Sequence, residues 1–405
     1  MSPSKRTGGR FTPALTSGTV LAVLVYLALY GLPFLRAAPN RLVSGQPVYF
    51  FSLIAGQTYA PTVLLALLFM LLFAAAFKPV RTGLWVVLVL AMALIPSLLW
   101  LAAGQAASAL QGDSPLALAS LTRTSLGSAF WVCILLLGLI ASDALQRMGA
   151  SPIQKMFAGL ALLLAVGGML AAGGCDELSI MKEYASRADG FTDVLARHLQ
   201  IVFMALAFTL VIGLPVGWAA HVSARTGGAL FPVLNIIQTI PSIALFGLLM
   251  APLALLAATV PALGRAGISG VGLAPAVIAL TLYGLLPVVR GTLAGLQQVR
   301  TGVIHAALGL GLTRLRVLTH IELPLALPVV LGGVRTAAVS SVGLAAVTAL
   351  IGAGGLGSVM FEGLFSNAQD VVLLGVLPII ALGGMLDTLF KALIGLARRR
   401  VRASS

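Results

Sequence analysis

Apolar residues in this chain come in long unbroken runs, not in the one-sided stripes of a water-soluble domain. The runs lie at about 14–35, 62–77, 84–103, 128–142, 156–173, 198–220, 231–258, 271–289, 324–349 and 371–394. A helix that crosses a bilayer needs roughly 20 predominantly apolar residues. Backbone groups in hydrocarbon must be satisfied within the segment, so open strands are excluded. A membrane barrel would show segments of alternating polarity, and these runs do not alternate. The pattern therefore predicts an all-α polytopic membrane protein with about ten transmembrane helices. The run at 62–77 reaches spanning length only if it extends back through Tyr59. The first run follows Lys5, Arg6 and Arg10, as in a signal peptide, but no small-x-small cleavage site precedes Pro33. It is read as an uncleaved first span.

Composition agrees with this pattern. Of the 405 residues 59% are hydrophobic and only 9% charged, against about 25% charged in a soluble domain. The formal net charge of +14 would suggest nucleic acid on a soluble surface, but no such clustered surface is available. Its distribution points instead to orientation. With the N-terminus cytoplasmic, most Lys and Arg residues fall on the cytoplasmic side, among them Arg147, Lys155, Arg225, Arg290, Arg300, Arg314, Arg316 and the tail Arg398–Arg400. That satisfies the positive-inside rule. Asp113, Asp176, Glu177, Glu183, Asp189, Asp193, Glu362 and Asp370 fall outside. Ten spans place both termini on the cytoplasmic side of the membrane.

The chain divides into an N-terminal five-span region (1–174), a polar outer loop (175–197), a second five-span core (198–395) with a cytoplasmic hairpin at 290–323, and a basic tail (396–405). The sequence lacks G-x-x-x-x-G-K-[ST], so it carries no P-loop for nucleotide hydrolysis. His198, His221, His305 and His320 are dispersed without metal spacing. Cys133 and Cys175 are too few for a disulfide framework or a thiolate cluster. Cys133 reads as an apolar packer, and Cys175 as a free thiol or an intermolecular bond. No catalytic residue and no metal site is expected.

The hairpin carries the strongest local signals. Val299, Val303, Ala307 and Leu310 have helical spacing, and Gly309 and Gly311 then end that helix. Thr313 suits the N-cap of a second short helix, and Pro324 the first turn of the following span. Ala306, Ala307, Gly309 and Gly311 would let another protein approach the backbone closely. The alternative is an amphipathic loop lying on lipid headgroups.

This stretch resembles the cytoplasmic E-A-A–x3–G–x9–I-x-L-P loop of ATP-binding-cassette importer permeases, at Ala306, Ala307, Gly311, Ile321, Leu323 and Pro324. His305 stands where that family usually has Glu. Asn235–Leu249, Ala279–Thr292 and Ala349–Gly357 further resemble permeases for osmoprotectants such as glycine betaine and choline, with some likeness to methionine-type permeases. The resemblance covers residues 195–395, about half the chain, and the layout of the first half matches a betaine-type branch with an extended N-terminus. It implies the importer permease fold for the last five helices and a transport subunit, not an enzyme. The implied partners are separate ATPase subunits docked on the hairpin, a second permease copy or a related permease, and an external substrate-binding protein. ATP would be bound by the ATPase partner, leaving this chain without a cofactor of its own.

Other candidates stand beside the hairpin. Asn235, Gln238 and Ser242 in the seventh run, with Pro241 between them, could line a path or bond between helices; Gln238 and Ser242, four apart, would share a face. Thr281 and Tyr283 are weaker path candidates. Arg335, about three turns into the ninth span, needs a partner or a cavity, and Asp387 is one possible partner. Glu322 either favours the ninth helix N-terminus or meets an ATPase. Gly352–Gly357 satisfies G-x-G-x-x-G, but with no strand before it a tight turn or re-entrant segment is expected. Two other classes remain open from the residues: an ion-coupled secondary transporter with a five-plus-five inverted repeat, and a membrane scaffold.

Overall fold

The computed structural model describes residues 17–39, 45–55, 59–76, 81–111, 122–265 and 267–403. Two compact units divide between Lys182 and Glu183. The basic residues Lys5, Arg6, Arg10 and Lys78 and the acid Asp113 lie outside the described residues.

The first unit comprises α1 (Ser17–Gly31), β1 (Pro33–Ala38), β2 (Gln46–Tyr49), α2 (Phe50–Ala55), α3 (Tyr59–Ala76), α4 (Arg81–Gln111), β3 (Arg123–Leu126), α5 (Ser128–Arg147) and α6 (Pro152–Ala171); α7 (Ser179–Ala185) crosses the dividing point. Its core joins Val25 and Leu29 of α1, Leu94 and Leu98 of α4, and Phe130 and Leu137 of α5. The strands form an antiparallel sheet in the order β2–β1–β3. An all-helical reading misses this sheet, because its strands are four to six residues long and are paired by distant segments. Gly127, which follows β3, donates its N–H to the Phe34 carbonyl at 2.8 Å. A Cβ there would meet the Phe34 carbonyl carbon at 2.7 Å, so only glycine fits.

Both cysteines are buried and free. Burial, reinforced by the Asp176 carboxylate, pushes the Cys175 thiol pKa up. Cys175 is thus a protonated packing residue in this conformation and is not placed for an intermolecular bond. The polar segment 175–197 is largely helical, formed by α7 and the first turns of α8 (Ala188–Val222).

The second unit continues with α9 (Ala224–Thr239), α10 (Ser242–Thr259), α11 (Pro261–Arg265), α12 (Leu273–Gln297), α13 (Thr301–Gly309), α14 (Arg314–Val317), α15 (Leu323–Val347), α16 (Leu356–Phe365) and α17 (Gln369–Ala403). The central helix is α12, packed on α8 and α15, with 14 of its 25 residues buried. Small residues let α12 and α15 meet backbone to backbone. A Cβ on Gly291 would stand 2.9 Å from the Gly333 Cα, and one on Gly333 would drive into the Pro287 carbonyl. Close approach of this kind is how membrane helices gain packing when hydrophobicity no longer drives association.

Among the described residues, eight helices are long and apolar enough to cross a membrane. Of the first two expected runs, Ser17–Gly31 is a shorter apolar helix, and the second forms the 18-residue α3, which extends back to Tyr59 as spanning length requires. The seventh run is not one helix. Ile240 is extended (φ −69°, ψ 126°) and breaks it between α9 and α10. Proline disfavours a helical conformation in the residue before it, and Pro241 imposes that here. Gln238 and Ser242 therefore lie on different helices and do not share the face that unbroken spacing predicts.

Candidate functional site

The hairpin is built by local rules. Helix α12 runs through Arg290 to Gln297, so the hairpin begins at about Gln298 and not at Arg290. Helix α13 ends in a Schellman-type cap: Gly311 N–H donates to the Leu308 carbonyl at 3.0 Å and Leu312 N–H to the Ala307 carbonyl at 3.2 Å. That cap needs a left-handed residue, and Gly311 supplies it with φ +85°. The Thr313 hydroxyl accepts the Arg316 N–H at 3.4 Å and starts α14.

Burial then separates the hairpin positions. Ala307 of α13 and Val317 of α14 are buried. Leu310 is 84% exposed and Leu315 70%. His305, Ala306, Gly309, Gly311, Leu323 and Pro324 are also exposed. Ala307 thus does not offer the docking surface that its small size suggested. Glu322 differs from expectation too. A π-helical segment, Leu318–Glu322, joins α14 to α15 without interruption, so Glu322 caps no free helix end. Its side chain makes no capping bond and is buried.

The polar candidates in the spans fall into three places. Asn235 accepts from Arg290 Nη2 at 2.8 Å, Gln238 Nε2 donates to the Tyr283 carbonyl at 3.0 Å, and the Tyr283 hydroxyl donates to the Ile240 carbonyl. These bonds draw Asn235, Gln238 and Tyr283 into one α9–α12 seam, and the last satisfies a carbonyl at the helix break. Thr281 is buried on the other side of α12, where its hydroxyl bonds the Val277 carbonyl at 2.7 Å and the Ala205 carbonyl of α8 at 3.3 Å. Ser242 stands apart on α10, half-buried.

Arg335 is paired. Its Nη2 lies 2.5 Å and its Nε 2.6 Å from Asp387 Oδ1, while Lys391 Nζ meets Asp387 Oδ2 at 2.6 Å. Removing one member of a shielded charge group leaves another uncompensated. Arg335→Gln is expected to lower the melting temperature in detergent, and Asp387→Asn in the same chain to restore part of the loss. A double-mutant cycle should read a coupling of about 0.5–3 kcal/mol; simple additivity would show that the pair does not support the fold.

The glycine-rich segment is a turn at the far end of α15. Gly352, Gly354 and Gly355 have φ of +76°, +80° and +81°. Arg197 Nε donates to the Ala353 carbonyl at 3.0 Å and Gly272 N–H to the Ile351 carbonyl at 2.7 Å. A membrane-type helix precedes the turn, which rules out a dinucleotide-binding strand–turn–helix. Two features here were not legible in the sequence. Gly355 packs on His198, which is fully buried. Arg187 bridges Glu183 at 2.6 Å and Glu362 of α16 at 2.7 Å, and the bonded Glu362 carboxylate pushes the Arg187 pKa up. His198 carried no motif, and Arg187 and Glu362 are far apart in sequence.

The second unit is thus a helical core whose helix α15 follows the short-helix hairpin and ends at the glycine turn. Residues 209–403 match the family described as "Binding-protein-dependent transport system inner membrane component", and residues 15–181 match "ABC transporter permease YehY, N-terminal domain". The chain belongs to this family of importer permeases, and it is a multi-pass inner-membrane protein. It is 38% identical over 200 residues to the osmoprotectant import permease protein OsmW of Salmonella typhimurium, covering 49% of this chain and 86% of that protein. It is 31% identical over 231 residues to the choline transport system permease protein OpuBD of Bacillus subtilis, covering 55% of this chain and 94% of that protein. A solved structure of the MetNI methionine ABC transporter is similar over 52% of this chain and 93% of its own, with 26% identity and a TM-score of 0.39.

Proposed function

We propose that this chain forms the substrate pathway of an ATP-driven importer for a small osmoprotectant such as glycine betaine or choline. The observation that carries the coupling is the hairpin, in which Ala307 and Val317 are buried while Leu310 and Leu315 project from it. The basic residues around it, Arg300, Arg314 and Arg316, follow the cytoplasmic bias of membrane proteins. A separate ATPase subunit docks there and binds the ATP, so this chain needs no cofactor. A second permease copy or a related permease completes the pathway, and an external binding protein delivers substrate to the glycine-turn end. Closure of the ATPases pushes the hairpins together. Nucleotide shifts the conformational equilibrium only through its different affinity for the two states, and the uninterrupted α14–α15 connection carries that shift into the core. The relatives OsmW and OpuBD, by their names, support the choice of substrate class. Asn235, Gln238, Tyr283 and Arg335 are the polar groups assigned to the path, with Ser242 beside them.

The test is uptake of radiolabelled glycine betaine and choline into proteoliposomes holding the permease, its ATPase and its binding protein. Uptake is expected only with enclosed ATP and external binding protein, and to persist when sodium and proton gradients are collapsed. Gradient-driven uptake without ATP would overturn the coupling. Competition by methionine but by neither quaternary amine would overturn the substrate class.

A further inference from the structure

We infer that Arg335, Asp387 and Lys391 form a subsite for the carboxylate of a zwitterionic solute, so that the permease favours glycine betaine over choline. The inference rests on the importer reading above and adds the charge class of its substrate. Among the described residues the three side chains bond to one another and to no other charged group. Arg335 takes Asp387 Oδ1 and Lys391 takes Asp387 Oδ2. Two cations therefore share one carboxylate, and one positive charge is left over.

That surplus lies within the membrane. Arg335 is the middle residue of the 25-residue α15, about 18 Å from either end, and the hydrocarbon core is about 30 Å thick. The fold does not enclose the cluster: the side chains of Arg335, Asp387 and Lys391 are 36%, 24% and 50% exposed. Thr336 and Ser340, four apart and exposed, continue the polar face along α15 beside Arg335. Lipid is excluded as the neighbour, because ionisable groups at such depth face protein or a water-filled cavity. Of the eleven Asp and Glu residues only Asp387 lies within an apolar run, so a second copy of the chain brings no free acid to this depth. Interfacial anchoring does not account for Lys391 either. A lysine that only sought the headgroups would extend toward them, whereas this ammonium closes on Asp387 at 2.6 Å. Water in the solute path is the neighbour that remains.

A surplus cation facing water takes an anion. A solute carboxylate accepts charge-assisted hydrogen bonds from Arg335 and Lys391 and brings the cluster to neutrality. Choline, which is only cationic, is repelled by the same surplus. A lipid phosphate offers the chemistry of a carboxylate here, and lipid composition separates the two sources.

The permease is reconstituted with its ATPase and binding protein in phosphatidylcholine vesicles, and ATP-driven uptake of glycine betaine and choline is compared. The same binding protein serves every variant, so its own selectivity cancels. Lys391→Gln leaves the Arg335–Asp387 pair in place and should lower the ratio of glycine betaine to choline uptake about tenfold. Lys391→Arg should restore most of that ratio. A ratio unchanged by Lys391→Gln, with both solutes still imported, overturns the subsite and leaves the importer reading standing. Absence of ATP-driven uptake of both solutes by the wild type overturns that reading and the subsite with it. A second measurement keeps all three charges. With Cys133 and Cys175 changed to Ala, Ser340→Cys should react with a charged, water-soluble thiosulfonate, and glycine betaine but not choline should slow the reaction. No reaction, as for a thiol against lipid or packed protein, overturns the water-facing assignment. Protection that disappears when phosphatidylglycerol replaces phosphatidylcholine gives the cation to a lipid phosphate and overturns the solute subsite.

Discussion

Changing Leu310 and Leu315 together to Asp is expected to give a permease that inserts, folds and melts normally but no longer imports. Both side chains project from the hairpin, 84% and 70% exposed, and substitutions at such positions usually alter stability by less than about 0.5 kcal/mol. Their value lies in contact with a partner. Central apolar residues of an interface cost about 2 kcal/mol or more each when lost, and about 1.4 kcal/mol is a factor of ten. Two of them should weaken ATPase association by a hundredfold or more, read as loss of the co-purified ATPase and of ATP-driven uptake. Buried Ala307 provides the contrast. Ala307→Asp should lose the ATPase and also lower the melting temperature, because it places a charge under the hairpin. Retention of the ATPase and of uptake by the Leu310 and Leu315 double variant would sink the docking assignment.

Gly333→Leu should have the largest effect on the fold. A Cβ at Gly333 would enter the Pro287 carbonyl and come within 3.1 Å of the Gly291 Cα. The obstacles are backbone atoms on the central helix and cannot rotate aside. Overpacking a core costs about 1–3 kcal/mol when side chains can adjust, and here they cannot. A loss of about 3 kcal/mol or more is a large part of the roughly 5–15 kcal/mol that holds a domain together. Gly332→Leu is the matched control, since a Cβ there meets nothing within 4 Å. Size-exclusion profiles and thermal melts in detergent should show the Gly333 variant aggregated or strongly destabilised and the Gly332 variant near wild type. Equal behaviour would mean that α12 and α15 do not cross at these glycines.

Features set by chain-local physics were legible in the sequence. Apolar runs gave the helices, Gly311 and Thr313 the hairpin turn, and the lack of a preceding strand the harmless reading of Gly352–Gly357. Features that depend on distant partners were not. The sheet needs Pro33–Ala38 to meet Arg123–Leu126, and nothing in either hexamer or tetramer announces the other. Pro241 was visible as a proline, yet Pro215, Pro287, Pro328 and Pro378 lie inside continuous helices. What distinguishes the break is the Tyr283 hydroxyl waiting for the Ile240 carbonyl, a tertiary fact. Size alone marked Ala306 and Ala307 as equivalent; packing turns one outward and the other in. Glu322 looked like the first residue of a helix because Pro324 suits a first turn, and the π segment that ends on it left no local signature. The Arg335–Asp387 contact joins residues 52 positions apart and was only one of several possible pairings.

The π segment at Leu318–Glu322 also sets an angle. Helical structure continues from Arg314 to Ile351, a rod of about 57 Å with Leu315 near one end and the glycine turn at the other. Each residue along such a rod is worth about 100° of rotation, and a π turn holds one residue more than an α turn. The surplus residue therefore fixes the azimuth at which Leu315 points relative to the buried Ala326 and Val330 stripe. A slip of one residue within these five would re-aim the tip by more than a quarter turn while leaving both flanking helices unchanged.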